Sequence, residues 1–462
     1  MHEISDQLIS KVLDTRFEDL SAKVLANVKN RIIDAIGCAV AGANACGSPM
    51  AVDLVKDWGG AKESTILVHG AKAPAHNVAM ANAILTRSHD FEPCGPYFNG
   101  RLMAGHVSGT TVPTALAMTE KVGGSGMDMI TALVAGDDFA VRLLAASDYS
   151  FITGWDCTGT VNAFGATAIA GKLLGLNKQQ MSDALGIVVN QLAGVIQIVY
   201  DANHSFKLPQ GLAARAGIMS AEFAQYGFLG IKDFLPVYFT QYCKTNHPEN
   251  AVKDLSTEFL SDCVTKPYPG CRVLGGSIDC ALDLAQHNDI NVDDIVEIAV
   301  NIANINNLGQ AWSTFMGKPF VVEDEPEPQI RAVFSLVYVV ANVMIHKSLR
   351  IEHLGDDMLC DPKLIEISKL VKLGNEPALN PNQCAGIRIR MKNGKEYTAF
   401  TDIARGDPYI HPVGKEELLE KFWNNIAFSK TVTRKKAENA LNLLENLEQV
   451  KDISLVIKNL VR

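Results

Sequence analysis

The 462-residue chain is 47% hydrophobic and 20% charged, the composition of an ordinary globular protein with room for two or three domains and ample core. Its net charge of −9 argues against a nucleic-acid partner, so any positive charge that binds an anionic ligand must be local. The ten cysteines include no CxxC pair, which leaves zinc ribbons and thioredoxin-type motifs without support and makes buried, reduced thiols the expectation.

The N-terminus, "MHEISDQLISKVLDTRFEDLS", carries acids from position 3 and no apolar core, so it does not read as a secretory signal. No run of about 18 apolar residues escapes interruption, so no membrane span is expected and a cytoplasmic location is the default. Residues 4 to 57 read as helical, with Val24, Val28, Ile32, Ile36 and Val40 at i, i+4 spacing in "AKVLANVKNRIIDAIGCAVAGA". Two alanine-rich helices, "APAHNVAMANAILTRS" (73–88) and "TTVPTALAMTEKV" (110–122), flank a loop dense in charge and glycine. "MDMITALVAGDDFAVRLLAAS" and "TVNAFGATAIAGKLLGL" continue as helices, the second closed by a glycine stop.

Beyond residue 265 the pattern changes. "DIVEIAVNIAN" and "AGIRIRMKNGKEYTAF" alternate apolar and polar residues, and Asn393-Gly394 in the second signals a two-residue hairpin. Between them, "IRAVFSLVYVVANVMIHKSL" reads as one buried helix, and amphipathic helices return after 415. The expected fold is mainly α. A large all-helical domain comes from both chain ends (1–265 and 403–462), with a smaller α+β domain inserted at 266–402.

Four clusters carry potential chemistry. The charged loop "RSHDFEPCGPYFNGRLMAGHVSGTTVP" holds His89, Asp90, Glu92, Cys94, Arg101 and His106. "TGWDCTGT" holds Asp156 and Cys157, "DANHSFKLPQGLAARAG" holds His204, Lys207 and Arg215, and "TKPYPGCRVLGGS" holds Lys266 and Arg272. Each has an ordinary structural alternative. Asp90 and Asp156 suit helix caps, Lys207 suits a surface, Arg215 a packed ion pair, and Lys266 precedes a Pro-x-Pro stretch that suits a rigid linker. No HExxH, GxSxG or P-loop is present. "VGGSGMD" follows no clear strand, so neither a metal nor a dinucleotide is expected. Acid, base and cation chemistry remains, which suits removal of a proton next to a carboxylate.

At these residues the chain resembles the MmgE/PrpD family, which includes 2-methylcitrate dehydratases, cis-aconitate decarboxylases and an iminodisuccinate epimerase. The resemblance runs through "VKNRIIDAIGCAVAGA", "HDFEPCG…AGHVSGTTVPTALAMTEKVGGSGMDMITALVAGDDFAVRL", "AARAGIMSAEFAQYGFLG", "TKPYPGCRVLGGSIDCALDL" and "DPYIHPVGKEELLEKFWNNI". It implies that the α+β part is a lid over an active site between the two domains, and that the protein forms a homodimer. It also implies that His106 is the catalytic histidine, Asp90 its partner or a second proton carrier, and Lys207 and Lys266 anchors for substrate carboxylates. Arg101, Asp156, Cys94 and Arg272 complete the expected binding site.

Departures from the family pattern accompany it. Glu92, Pro93 and Cys94 stand where D-x-D-D-T is frequent. Asp156 occupies the position of a histidine in cis-aconitate decarboxylases, Gly275 that of a later histidine, and "NINNLG" lacks an expected tyrosine. Replacing a possible cation by an anion disfavours a tricarboxylate pocket, since unit charges about 4 Å apart interact by about 4 kcal/mol at an effective dielectric of 20. The expectation is therefore an enzyme acting on a small di- or tricarboxylate as a dehydratase (a lyase) or an epimerase (an isomerase). The alternative of another class is a family member that has lost catalysis and serves as a scaffold.

Overall fold

The structure, a computed structural model, describes residues 1–147, 154–243, 245–303 and 310–462. The "NINNLG" position lies outside them.

Helices dominate up to residue 252. His2–Asp14, Ala22–Ala41 and Ser48–Trp58 come first, followed by Ala75–Arg87, Ser108–Val122, Gly126–Ala146, Val161–Leu173 and Leu208–Gln225 among others. Ser21 caps the second of these through Val24 N–H, and Val28, Ile32, Ile36 and Val40 line its buried face, as the i, i+4 spacing requires. The C-terminal helices Lys415–Ser429 and Arg434–Glu445 return to pack on Ala22–Ala41. One apolar core therefore joins Ile32, Ile84, Leu116 and Leu133 to Phe422, Leu444 and Leu460. A second core runs from Leu274 to Ala399 and includes Ile196–Phe206 side chains. Its sheet orders Val371–Leu373, Ile295–Ile302, Ala385–Met391 and Glu396–Thr401, with only the first pair parallel.

Three local expectations are corrected. The charged loop is not all loop: Cys94–Phe98 pairs antiparallel with Arg101–Leu102 on one side and Cys263–Val264 on the other. Asn99 and Gly100 turn that hairpin with φ of 50° and 70°, the left-handed pair of a two-residue type I′ turn. Around Asn393-Gly394, by contrast, Met391 N–H bonds the Lys395 carbonyl and Gly394 has φ 82°, which makes a three-residue loop. The apolar stretch 330–349 is two helices, Pro328–Phe334 and Leu336–His346, bent by 86° at Ser335. Ser335 leaves helical dihedrals and its hydroxyl accepts from Tyr338 N–H, so it caps the second helix. No single helix among the described residues is long and apolar enough to cross a membrane.

One contact sets the site directly. A Cβ on Gly42 would lie 1.9 Å from the Leu85 carbonyl oxygen, so only glycine lets the turn after Ala22–Ala41 meet the last turn of Ala75–Arg87.

Candidate active site

Arg87 is the last residue of its helix and is buried. There its cation meets the negative end of the helix dipole. Its Nη1 donates to Asp90 Oδ1 at 2.5 Å and Glu92 Oε1 at 3.0 Å, and lies 3.0 Å from His106 Nδ1. Asp90 adopts a left-handed φ of 46°, which aspartate tolerates better than most residues and which turns its carboxylate back toward Arg87. His106 precedes the Ser108–Val122 helix, and its carbonyl accepts from Asn162 Nδ2 at 2.7 Å.

Lys266 closes the cluster from the opposite side of the chain. Its Nζ donates to Asp90 Oδ1 at 2.5 Å, to the Asp90 carbonyl at 2.5 Å and to the Gly270 carbonyl at 3.2 Å. All three ammonium protons are thus used within the protein. Lys421, on helix Lys415–Ser429, donates to the Phe91 and Lys266 carbonyls and pairs with Asp34 at 2.7 Å, which fixes both chain segments of the cluster.

The charges order themselves by pairing. Burial is the largest single effect and pushes the Asp90 and Glu92 carboxyls up, but Arg87, Lys266 and His106 together outweigh it, so Asp90 lies well below the usual range and Glu92 at about 2. Both are carboxylates. For His106, burial comes first and the Arg87 charge second, and together they lower its pKa against the pull of Asp90 and Glu92. The two Arg87 Nη1 protons go to Asp90 and Glu92, so its approach to Nδ1 is not a hydrogen bond; a neutral imidazole then donates Nδ1–H to the Glu92 carboxylate, 3.0 Å away, and keeps Nε2 as an acceptor. Glu92, rather than Asp90 at 3.8 Å, is therefore the partner of His106.

A cavity of about 50 Å³ lies against this network, lined by Arg87, Asp90, His106, Asp156 and Arg272 with Trp312 and Phe334. Asp156 caps the Cys157–Gly159 turn through Thr158 N–H at 2.9 Å and also faces the cavity, so its two readings coincide. Arg272 has neither ion-pair nor hydrogen-bond partner among the described residues. The segment Cys271–Val273 also walls a cavity of about 890 Å³ that includes Arg101, Tyr97, Gly275 and Lys266.

The other expected residues lie elsewhere. Lys207 does not line the small cavity; its Nζ donates to the Cys46 carbonyl at 2.5 Å and reaches Ser48 Oγ at 3.4 Å, and burial lowers its pKa to about 7. Cys94 faces a crevice beside Arg31 and Asp137, and burial raises its thiol pKa. Arg101 is exposed on the rim of the larger cavity. Arg215 stacks 4.8 Å over Trp58. Arg87, Lys421 and the central role of Glu92 escaped the sequence reading. An arginine inside "NAILTRSHD", three residues before an aspartate, is the one signal that could have found the first. Asp90, Glu92 and His106 also bring three possible metal-ligand atoms within 4.8 Å, but Arg87 and Lys266 already neutralise that charge.

Fold and site together define a mainly helical protein with a buried carboxylate–imidazole–guanidinium network facing a small cavity. Residues 6–237 match the MmgE/PrpD N-terminal domain and residues 268–449 the MmgE/PrpD C-terminal domain, so the chain belongs to the MmgE/PrpD family. It is 22% identical to a cis-aconitate decarboxylase of Aspergillus terreus over 96% of this chain and 92% of that protein. It is also 22% identical to the cis-aconitate decarboxylase-like protein oryM of Aspergillus oryzae, over 98% of this chain and 96% of that one.

Proposed function

We propose that the protein is an enzyme that removes a proton alpha to a carboxylate of a small di- or tricarboxylate, with His106 as the base. The observation that carries this reading is that His106, paired with an ionised Glu92, lines the same cavity as Arg272, which has no partner among the described residues. Such a site needs both parts: a base whose free nitrogen reaches the substrate, and a cation that holds the carboxylate and steadies the charge that develops. The carbanion-like species then loses a leaving group, as a dehydratase requires, or takes a proton on the opposite face, as an epimerase does. Asp156, which lines the same cavity as Arg272, favours a substrate with an amino or imino nitrogen, and so the epimerase outcome. The relatives named as cis-aconitate decarboxylases make loss of carboxylate the third outcome to test.

Proton NMR in D2O separates these outcomes with 2-methylcitrate, citrate, cis-aconitate and iminodisuccinate as the panel. Deuterium entering an alpha carbon with the skeleton intact marks an epimerase, a new vinyl signal marks a dehydratase, and lost carboxylate marks a decarboxylase. Silence across the panel, with no thermal stabilisation by any member, would sink the enzyme reading in favour of a scaffold. Because burial and Arg87 lower the His106 pKa, the base stays neutral below the ordinary histidine value of roughly 6.5. The exchange rate should hold on acidification past that value and fall only as the lowered pKa is crossed.

The 50 Å³ cavity is far below the roughly 300 Å³ at which ligand pockets begin. We therefore infer that residues 266–402 act as a lid and that Cys271–Val273 shifts to join the two cavities. Substrate should then slow backbone amide exchange across 266–273; exchange there that ignores a bound substrate would remove the lid. We also infer a homodimer. Met50, Leu54 and Trp58 on one helix and Leu208, Leu212 and Phe223 on another form exposed apolar stripes, extended by Tyr226, Phe228 and Leu229. Sedimentation should give twice the chain mass, and Leu229→Asp with Leu212→Asp should halve it; a monomer at micromolar concentration would exclude this face.

A further inference from the structure

A second group of chemically active side chains sits apart from the cavity. Cys46, in the turn before helix Ser48–Trp58, His204, which opens the 204–207 turn, and Glu327, which precedes helix Pro328–Phe334, bring one ligand atom each within 4.8 Å of the others. Cys46 Sγ donates to Glu327 Oε1 at 3.2 Å, and His204 Nδ1 meets the same oxygen. His204 N–H bonds the other oxygen, which orients the carboxylate. The thiol and the imidazole thus both face one carboxylate oxygen, each with a proton available for that contact.

We propose that this trio binds a divalent transition metal ion, with zinc the best match. The donor set of thiolate, imidazole and carboxylate is the one zinc selects, at roughly 2.3, 2.0 and 2.1 Å respectively. On binding, the Cys46 thiol releases its proton to solvent and the His204 proton moves to Nε2, so the thiolate and the Glu327 carboxylate offset the two charges of the ion. Glycine at position 47, with φ 79°, is part of the cradle: a Cβ there would lie 2.7 Å from three atoms of the His204 side chain. All three ligands are partly exposed, which gives the ion an entry path and leaves a fourth position for water.

The neighbouring charges are balanced. Lys207 is the nearby cation, but its ammonium is turned to the Cys46 carbonyl and Ser48 Oγ, and the negative charge of Asp356 also acts on Cys46. A nucleophilic thiol reads less well from the same contacts. The carboxylate, not the imidazole, sits at the centre and receives the thiol proton, and burial with Glu327 raises the Cys46 pKa to about 11. Cys46 and Glu327 are 281 residues apart, so a bound ion would tie the helical core to the core around the sheet.

Chelator-treated full-length protein titrated with Co²⁺ tests the site. One ion should bind with a thiolate-to-cobalt charge-transfer absorption, and Zn²⁺ should displace it. Cys46→Ser, which keeps a donor to Glu327 and so preserves a mere hydrogen-bonded trio, should abolish the absorption. His204→Asn and Glu327→Gln should weaken Zn²⁺ by at least roughly 10–100-fold, the cost typical even of an outer-shell partner. Zn²⁺ should also shield Cys46 from alkylation in the native protein while exposed Cys360 still reacts. No absorption, an absorption unchanged in Cys46→Ser, or binding lost only in Glu92→Gln would each overturn the assignment, the last by placing the ion at Asp90, Glu92 and His106.

Discussion

Replacing Arg87 by Met is expected to lower the stability of the protein by about 3–5 kcal/mol, the usual cost of removing one partner from a buried ion pair. One guanidinium serves Asp90, Glu92 and His106 together, and all of these are buried or nearly so. Lys266 keeps Asp90 paired in the variant, but Glu92 retains only His106. Arg87 also sets the acid behaviour. Glu92, held at about 2, contributes stability that is complete above roughly pH 4.3 and disappears as pH falls toward 2. Without Arg87 that loss should begin at higher pH.

The same substitution should change the chemistry in a way that simple destabilisation does not. Arg87 is the largest charge lowering the His106 pKa, whereas Asp90 and Glu92 raise it. In Arg87→Met the imidazole should therefore take up a proton near neutrality, where it can no longer accept one. The acid limb of the rate profile should move to higher pH, with activity partly restored on the alkaline side. Arg87→Lys keeps a positive charge and so should move the acid limb less, although its ammonium matches the two carboxylates less well than a guanidinium does. Urea unfolding and the pH dependence of the rate check both arms; a variant with an unmoved midpoint and an unmoved acid limb would refute the pairing role.

How far the sequence discloses this site depends on which contacts are local. The helices from 22 to 41 and 75 to 87 and the strand at 295–302 follow from periodicity, because a buried stripe must repeat every 3.6 residues or every two. The 94–102 hairpin is marked in the sequence only by Asn99-Gly100, a turn signal as plain as the one at 393 but set among charged residues that suit a loop equally well. Ser335 was hidden for another reason: an apolar stretch buried on all faces has no polar edge to mark a bend. In the site, His106 and Asp90 stand out because charge in an otherwise apolar loop is costly. What the sequence cannot show is which partner each charge finds. Lys266 looked free to hold a substrate, yet it spends its donors on Asp90 and two carbonyls. Arg272 looked like one cation among several, yet it alone of the cavity's cations lacks a partner among the described residues. Cys46, His204 and Glu327 gave no spacing motif, since 281 residues separate the first from the last.

His106→Gln is expected to reduce turnover by roughly 10²–10⁴-fold, or about 2.7–5.4 kcal/mol of transition-state stabilisation, while leaving the fold in place. The glutamine amide can still donate to Glu92, so the ionised carboxylate is not stranded and the unfolding free energy from urea titration should fall by no more than about 1–1.5 kcal/mol. No other group of the network can substitute as base. Asp90 lies well below the usual carboxylate range because Arg87 and Lys266 overcome the effect of burial, Glu92 lies at about 2, and Arg87 and Lys266 are held protonated by the same pairs. His106 is the member brought toward neutrality as an uncharged acceptor, through burial and the Arg87 charge. Because Arg272 is untouched, KM should change little in His106→Gln, whereas Arg272→Met should raise KM with a smaller fall in kcat. The two variants thus separate proton transfer from carboxylate binding. Near-normal turnover and deuterium exchange in His106→Gln would place the base outside this network, and Arg272→Met with an unchanged KM would move the carboxylate anchor out of this cavity.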